Sequence, residues 1–119
     1  VGGGGFLGSV LRYLAGLLTQ SLTGSTALPY GTLVVNVLGC LIIGFLGGLA
    51  QHRQLFSPEL RLFVFTGMLG GFTTFSTFGY DTLNIARGVD LPLALLNILL
   101  HISLGLGAVS LGYWLSRWC

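Results

Sequence analysis

From Leu62 to Tyr80 the chain carries no charged side chain, a run long enough to cross the hydrocarbon core of a bilayer. Its second half reads GGFTTFSTF, from Gly70 to Phe78: two adjacent glycines break the helical pattern, and the hydroxyls of Thr73, Thr74, Ser76 and Thr77 alternate with Phe72, Phe75 and Phe78. Polar side chains in hydrocarbon cost free energy unless partnered, and irregular backbone survives at membrane depth only where protein or a water-filled path satisfies it. The segment is therefore expected to line or cap a polar pathway.

Charge content supports a membrane setting. Charged residues make up 7% of the 119 residues and apolar ones 53%, whereas soluble domains carry roughly 25% charged residues. A soluble fold of this length could not hide so much apolar surface. A net charge of +2 is too small and too scattered to point to nucleic acid. Cys40 falls inside an apolar stretch and Cys119 at the end, with no CxxC or metal-type spacing, so neither a zinc site nor a disulfide framework is implied. Arg12 interrupts the first apolar stretch rather than preceding it, which argues against a cleaved signal peptide.

Four spans fit the pattern, at about 2–22, 31–50, 62–80 and 91–116, making one all-α membrane domain. Turn-rich residues from Ser21 to Pro29, a polar loop from His52 to Glu59 and a further loop from Asp81 to Pro92 are expected to join them, with Tyr113, Trp114 and Trp118 forming an interfacial aromatic belt. Gly4/Gly8, Gly44/Gly48 and Gly67/Gly71 have the small-xxx-small spacing that lets helices approach closely, within one chain or between two. Gly3, Gly5 and Gly8 match a dinucleotide-binding expression, but no strand pattern precedes them and no acid follows at the required distance.

Few polar residues lie inside the spans. Arg12 either faces a vestibule that attracts anions or snorkels to an interface. Asn36 is too short to snorkel; it is either interhelical glue or a supplier of two amide donors to a passing ion. Asn97 and His101 share a helical face with Gly105, as a polar track or as a satisfied helix contact. Phe75 and Phe78 stand three apart, either packing or presenting electropositive ring edges to an anion. Glu59, Asp81 and Asp90 all fall outside the expected spans, which leaves no intramembrane carboxylate to couple transport to protons or cations.

These residues resemble those of the Fluc (CrcB) fluoride channels over nearly the whole chain: Gly4, Gly5, Gly8, Arg12 and Tyr13 in the first span, Gly31-Thr32-Leu33 and Asn36 in the second, and above all GGFTTFSTF. The resemblance implies passive, selective fluoride export across a microbial cell membrane by an antiparallel, dual-topology dimer with two pores. It implies that Phe75 and Phe78 meet the ion with their ring edges, that Asn36 is the pore asparagine, that Ser76 and Thr77 begin a polar track, and that Arg12 stands in the vestibule. It further implies that the Gly70 and Thr73 carbonyls, doubled across the dimer axis, hold a structural sodium ion. In the fourth span the family often carries hydroxyls four apart, where this chain has Asn97, His101 and Gly105. Arg53, Arg61 and Arg117 would lie on one side against Arg87 on the other, a bias that favours a single orientation and so fits one partner of a pair with opposite orientations, where a dual-topology chain is expected to be more balanced.

The leading expectation is thus a fluoride channel with no covalent chemistry. A small four-span secondary exporter of drug-like cations is the alternative, and would need a buried Asp or Glu. A non-transporting membrane assembly factor is the third reading, and predicts no ion flux.

Overall fold

The computed structural model describes residues 1–23, 28–54, 56–88 and 90–118. Part of the connection expected between Ser21 and Pro29, and the terminal Cys119, lie outside the described residues. Among the described residues every regular element is helical: α1 (Gly2–Thr23), α2 (Tyr30–Arg53), α3 (Pro58–Arg61), a π-helical stretch (Leu62–Leu69), α4 (Gly70–Phe72), α5 (Phe75–Arg87) and α6 (Leu91–Ser116).

Local chemistry sets several of the ends. Gln54 closes α2 in a left-handed conformation (φ 50°), its N–H reaching the Ala50 carbonyl. Ser57 starts α3 by accepting the Leu60 N–H at 3.2 Å, with Pro58 at the first position, where its missing N–H costs nothing. Asp90 does the same for α6, accepting the Leu93 N–H at 3.2 Å. The third candidate span covers Pro58–Arg87, 30 residues, and so begins earlier and ends later than the charge-free run.

Among the described residues, three helical stretches are long and apolar enough to cross a membrane: Tyr30–Arg53, Pro58–Arg87 and Leu91–Ser116. Helix α1 has the length, 22 residues, but its glycines, Arg12, Thr19 and Gln20 make it less apolar than the others. The outer surface is lipid-like rather than water-like, with Phe6, Leu18, Leu99 and Leu106 each more than 60% exposed. That matches a multi-pass membrane protein.

Helices α2 and α6 form the principal pair, while α1 lies against the π-helical stretch and α4. Glycine makes both contacts close. A Cβ on Gly8 would strike the Met68 carbonyl, and one on Gly67 would come within 3.0 Å of the Gly4 Cα. The Gly4/Gly8 and Gly67/Gly71 pairs therefore face each other within one chain. Gly44 likewise sits against the Val109 backbone and Gly48 against Ser116, joining α2 to α6.

Two expectations shift. Gly70 and Gly71 are helical, Gly70 at φ −63° and ψ −36°, so the glycines do not themselves interrupt the backbone. Thr73 (φ −85°, ψ 156°) and Thr74 (φ −151°, ψ 118°) are the residues that leave the helical region. The glycines' small size is used for packing instead, since a Cβ on Gly71 would lie 2.7 Å from the Gly5 carbonyl oxygen. The loop expected from Asp81 to Pro92 is largely helix: α5 runs through Asp81 to Arg87, because Asp81 finds a partner on α2 and the residues after it are compatible with helix.

Candidate functional site

Extended backbone at Thr73 and Thr74 changes where four hydrogen-bonding groups go. In an unbroken helix the Thr74 N–H would bond to Gly70 O, and the Thr77 N–H to Thr73 O. Here the Thr74 N–H donates to Asn36 Oδ1 at 2.8 Å, and the Thr77 N–H to Thr74 Oγ1 at 3.2 Å. The Gly70 and Thr73 carbonyls thereby lose their usual donors.

Asn36 completes the arrangement from α2. Its Nδ2 donates to the Thr74 carbonyl at 2.9 Å while its Oδ1 accepts from the Thr74 N–H. One side chain thus satisfies both backbone groups of the residue at the centre of the interruption, as an unwound segment in an apolar surround requires. The sequence expectation of two free amide donors is corrected accordingly: one Nδ2 hydrogen is committed to Thr74, and one is left.

Thr74 also caps α5 and anchors a hydroxyl cluster. Its Oγ1 lies 3.3 Å from Ser76 Oγ and donates to Thr77 Oγ1 at 3.2 Å, which leaves the Thr77 hydroxyl proton for another acceptor. Thr73 turns the other way and donates to Leu69 O at 2.9 Å. The rings follow directly: Phe75 and Phe78 have centroids 5.4 Å apart and are tilted by 59°, and Phe75 is 82% exposed. The exposed hydroxyls are costly toward lipid and sensible toward a polar path.

Two cavities meet at Thr74. One, of about 370 Å³, is bounded by Asn36, Cys40, Gly70, Thr73, Thr74, Phe75, Phe78 and His101. The other, of about 580 Å³, is bounded by Arg12, Gln20, Thr32, Thr74, Thr77 and Asp81 among others. Half-buried Arg12 therefore faces a cavity rather than lying apart from it. Thr32 Oγ1 donates to Asp81 Oδ2 at 3.0 Å, tying α2 to α5 across the second cavity.

Farther along, α6 contributes two of the anticipated residues in different ways. Asn97 is fully buried, donates from Nδ2 to Thr82 Oγ1 at 2.9 Å and borders neither of these cavities. Thr82 in turn donates to Phe78 O at 2.8 Å, so Asn97 braces the helix that carries the rings. His101 does border the first cavity, with its ring 4.2 Å from that of Phe78 and its Nδ1 3.1 Å from Asn97 O. Ser103 points elsewhere, donating to Leu99 O.

The site thus gathers Asn36, Thr73, Phe75, Phe78, His101 and Gly70 around one cavity, and Arg12 and Thr77 around its neighbour. Thr74, Thr32, Asp81 and Cys40 were not singled out as site residues. For Thr74 the signal was there, a threonine immediately before a helical pattern being a typical N-cap. For Thr32 and Asp81, 49 positions apart, no local pattern could pair them.

The sequence is similar to known proteins over nearly all of its length. The family described as "CrcB-like protein, Camphor Resistance (CrcB)" matches residues 1–113. A protein of Clostridium perfringens named "Fluoride-specific ion channel FluC" is 42% identical over 117 residues, covering 98% of this chain and 91% of the relative. Proteins of the same name from Rhizobium meliloti and Elusimicrobium minutum are 45% and 48% identical, covering 98% and 95% of this chain and 93% and 87% of their own lengths.

Proposed function

The chain belongs to the CrcB-like protein family, and from that premise we infer that it is a fluoride-specific ion channel, a conductor rather than an enzyme. The observation that carries the mechanism is the clamp of Asn36 on Thr74, which holds an interrupted helix open beside two phenylalanine rings and a cavity.

Fluoride is small and strongly hydrated, so it enters a narrow path only where donors replace its water. The residues at the interruption offer such donors: the remaining Nδ2 hydrogen of Asn36, the hydroxyls of Ser76 and Thr77, and the ring edges of Phe75 and Phe78. Arg12, in the adjoining cavity, raises the local anion concentration. Asp81 shares that cavity and partly offsets Arg12, so attraction there is weaker than an arginine alone would give. A drug-cation exporter finds no support in the three relatives described above, whose names specify fluoride.

The finer reading has four membrane spans, with α1 as the first and the third broken near its middle at Thr73–Thr74, in a microbial plasma membrane or inner membrane. Exposure of Phe75, Ser76 and Thr77 supports an antiparallel, dual-topology dimer, since a second copy would cover them and close the path. A homodimer is the simplest such assembly, and a paired heterodimer would serve the same geometry. The Gly70 and Thr73 carbonyls fit a hard cation, because both have lost their helical donors and a carbonyl in an apolar surround needs a partner. Doubled in the dimer, they would hold a structural sodium ion.

Purified protein in liposomes tests the reading. Fluoride should leave down its gradient, without coupling to a proton gradient, while chloride is retained. Comparable chloride flux would overturn selectivity, and no fluoride flux would overturn the function.

A further inference from the structure

The end of the bundle where α2 and α6 finish carries the whole formal net charge of the chain. Tyr113 of α6 donates to Gln51 Oε1 of α2 at 3.3 Å, and its ring lies 5.2 Å from that of His52, so the two C-termini stand side by side. Arg53, Arg61 and Arg117 lie at that end with Glu59 as the one acid, whereas Arg12 and Arg87 in the other half are matched by Asp81 and Asp90. The first group accounts for the net charge of +2 and the second for none of it. Among the described residues no carboxylate pairs with Arg53, Arg61 or Arg117; Arg117 lies instead over the Tyr113 ring, 5.8 Å from its centroid.

A polar cavity of about 700 Å³ lies at this same end, bounded by Gln51, Gln54, Phe56 and Arg61 among others. Its side chains offer donors: the guanidinium of Arg61 and the Nε2 hydrogens of Gln51, whose oxygen is already taken by Tyr113. Among the described residues no carboxylate borders it, so it suits an anion and offers nothing to the ammonium of a zwitterionic headgroup. Trp114 and Trp118, 51% and 75% exposed with rings 6.0 Å apart, mark this end as the level of lipid headgroups. Leu60 and Leu62, on either side of Arg61 in the chain, are both exposed and present apolar surface beside the cavity's one arginine.

From this charge, donor set and depth we propose that the cavity seats the phosphate of an anionic phospholipid. Arg61 is its charged partner, with the fork geometry that matches phosphate oxygens, and Gln51 and Gln54 are its neutral donors. Leu60 and Leu62 meet the acyl chains, and Arg53 and Arg117 keep the surrounding surface positive, which strengthens attraction to anionic lipid. A free anion would find the same donors but would leave the two leucines uncovered. The proposal rests on the membrane-crossing character of the chain and not on what it conducts.

To test it, the purified chain in neutral detergent is titrated with phosphatidylglycerol and with phosphatidylcholine, reading retained lipid by native mass spectrometry together with the melting temperature. Phosphatidylglycerol should stay bound and raise the melting temperature, and phosphatidylcholine should do neither. Arg61→Gln should weaken phosphatidylglycerol binding about fivefold, the usual worth of one arginine at an anionic membrane surface. Arg61→Lys, which keeps the charge without the fork, should lose less. Arg87→Gln, at the far end, should leave binding unchanged. Gln51→Met removes a neutral donor from the same cavity and should weaken binding by a smaller factor, which supplies the reading if Arg61→Gln does not fold. Equal binding of the two lipids overturns the proposal. So does an equal loss in Arg61→Gln and Arg87→Gln, which would mean diffuse surface charge and no site. Inorganic phosphate that raises the melting temperature as far as phosphatidylglycerol also overturns it, as a site for free anions. Absence of fluoride flux in liposomes would defeat the channel reading and leave the lipid preference standing.

Discussion

Removing the Asn36 amide should collapse the interrupted helix rather than merely thin out a row of donors. In Asn36→Ala the Thr74 N–H and C=O, held at 2.8 and 2.9 Å, both lose their partner. Each net hydrogen bond is worth about 1 kcal/mol, and a buried group left unpaired costs about 1–3 kcal/mol. Because the pair is only partly buried, the low end applies, giving roughly 2 kcal/mol against the open geometry. At a factor of ten for each 1.4 kcal/mol, the ratio of clamped to relaxed chains falls about thirtyfold.

Flux per folded protein in liposomes should fall by up to that factor, since it follows the clamped fraction, and the melting temperature in detergent should drop with it. Asn36→Asp sharpens the test. An aspartate keeps an acceptor for the Thr74 N–H, but when ionised it offers only lone pairs to the Thr74 carbonyl and places negative charge where the anion passes. It should conduct less than the alanine variant. Asn36→Ala at wild-type flux and wild-type melting temperature would refute the clamp outright.

Three further outcomes follow from the same geometry. Phe75→Ile and Phe78→Ile should both cut flux and both lose the Phe75–Phe78 ring contact, worth about 0.5–1.5 kcal/mol, and Phe78→Ile should be the less stable because it also loses the ring contact with His101; flux and melting curves measured together separate the two. Exchanging sodium for a bulky organic cation should lower the melting temperature and dimer stability, and unchanged behaviour in sodium-free buffer would remove the ion from the Gly70 and Thr73 carbonyls. Gly8→Ala should destabilise by about 1–3 kcal/mol, since its Cβ meets the Met68 carbonyl, a backbone group that cannot swing away, while those molecules that fold conduct normally.

The helical, membrane-crossing character was readable from the sequence because lipid imposes a one-dimensional rule: an apolar run of sufficient length forms a helix. The fourth span illustrates this, with α6 running from Leu91 to Ser116 over the stretch that hydropathy marked. The third was less legible. Asp81 looks like a loop residue by charge alone, yet it sits in α5 because Thr32 accommodates it from across the fold. The interruption was misplaced by a few residues for a related reason. Glycines permit a break but do not demand one, and here Gly71 serves contact with Gly5, while the threonines leave the helix where Asn36 can receive them.

Asn36 and His101 show why polar residues in a membrane chain resist assignment from sequence. Each was open to a packing role or an ion-handling role, and the geometry gives each a structural partner without exhausting its chemistry. Asn36 commits its carbonyl and one hydrogen to Thr74 and keeps one hydrogen; His101 commits Nδ1 to Asn97 and keeps Nε2. A side chain with two distinct hydrogen-bonding ends can be anchored by one and remain available through the other. That favours amides over hydroxyls wherever a donor must be both held in place and presented to an ion, since the Ser76 and Thr77 hydroxyls rely on Thr74 for their placement. Anchoring also lowers the cost of ordering the donor when the ion arrives, so the groups held on one side are the ones best prepared to replace fluoride's lost water.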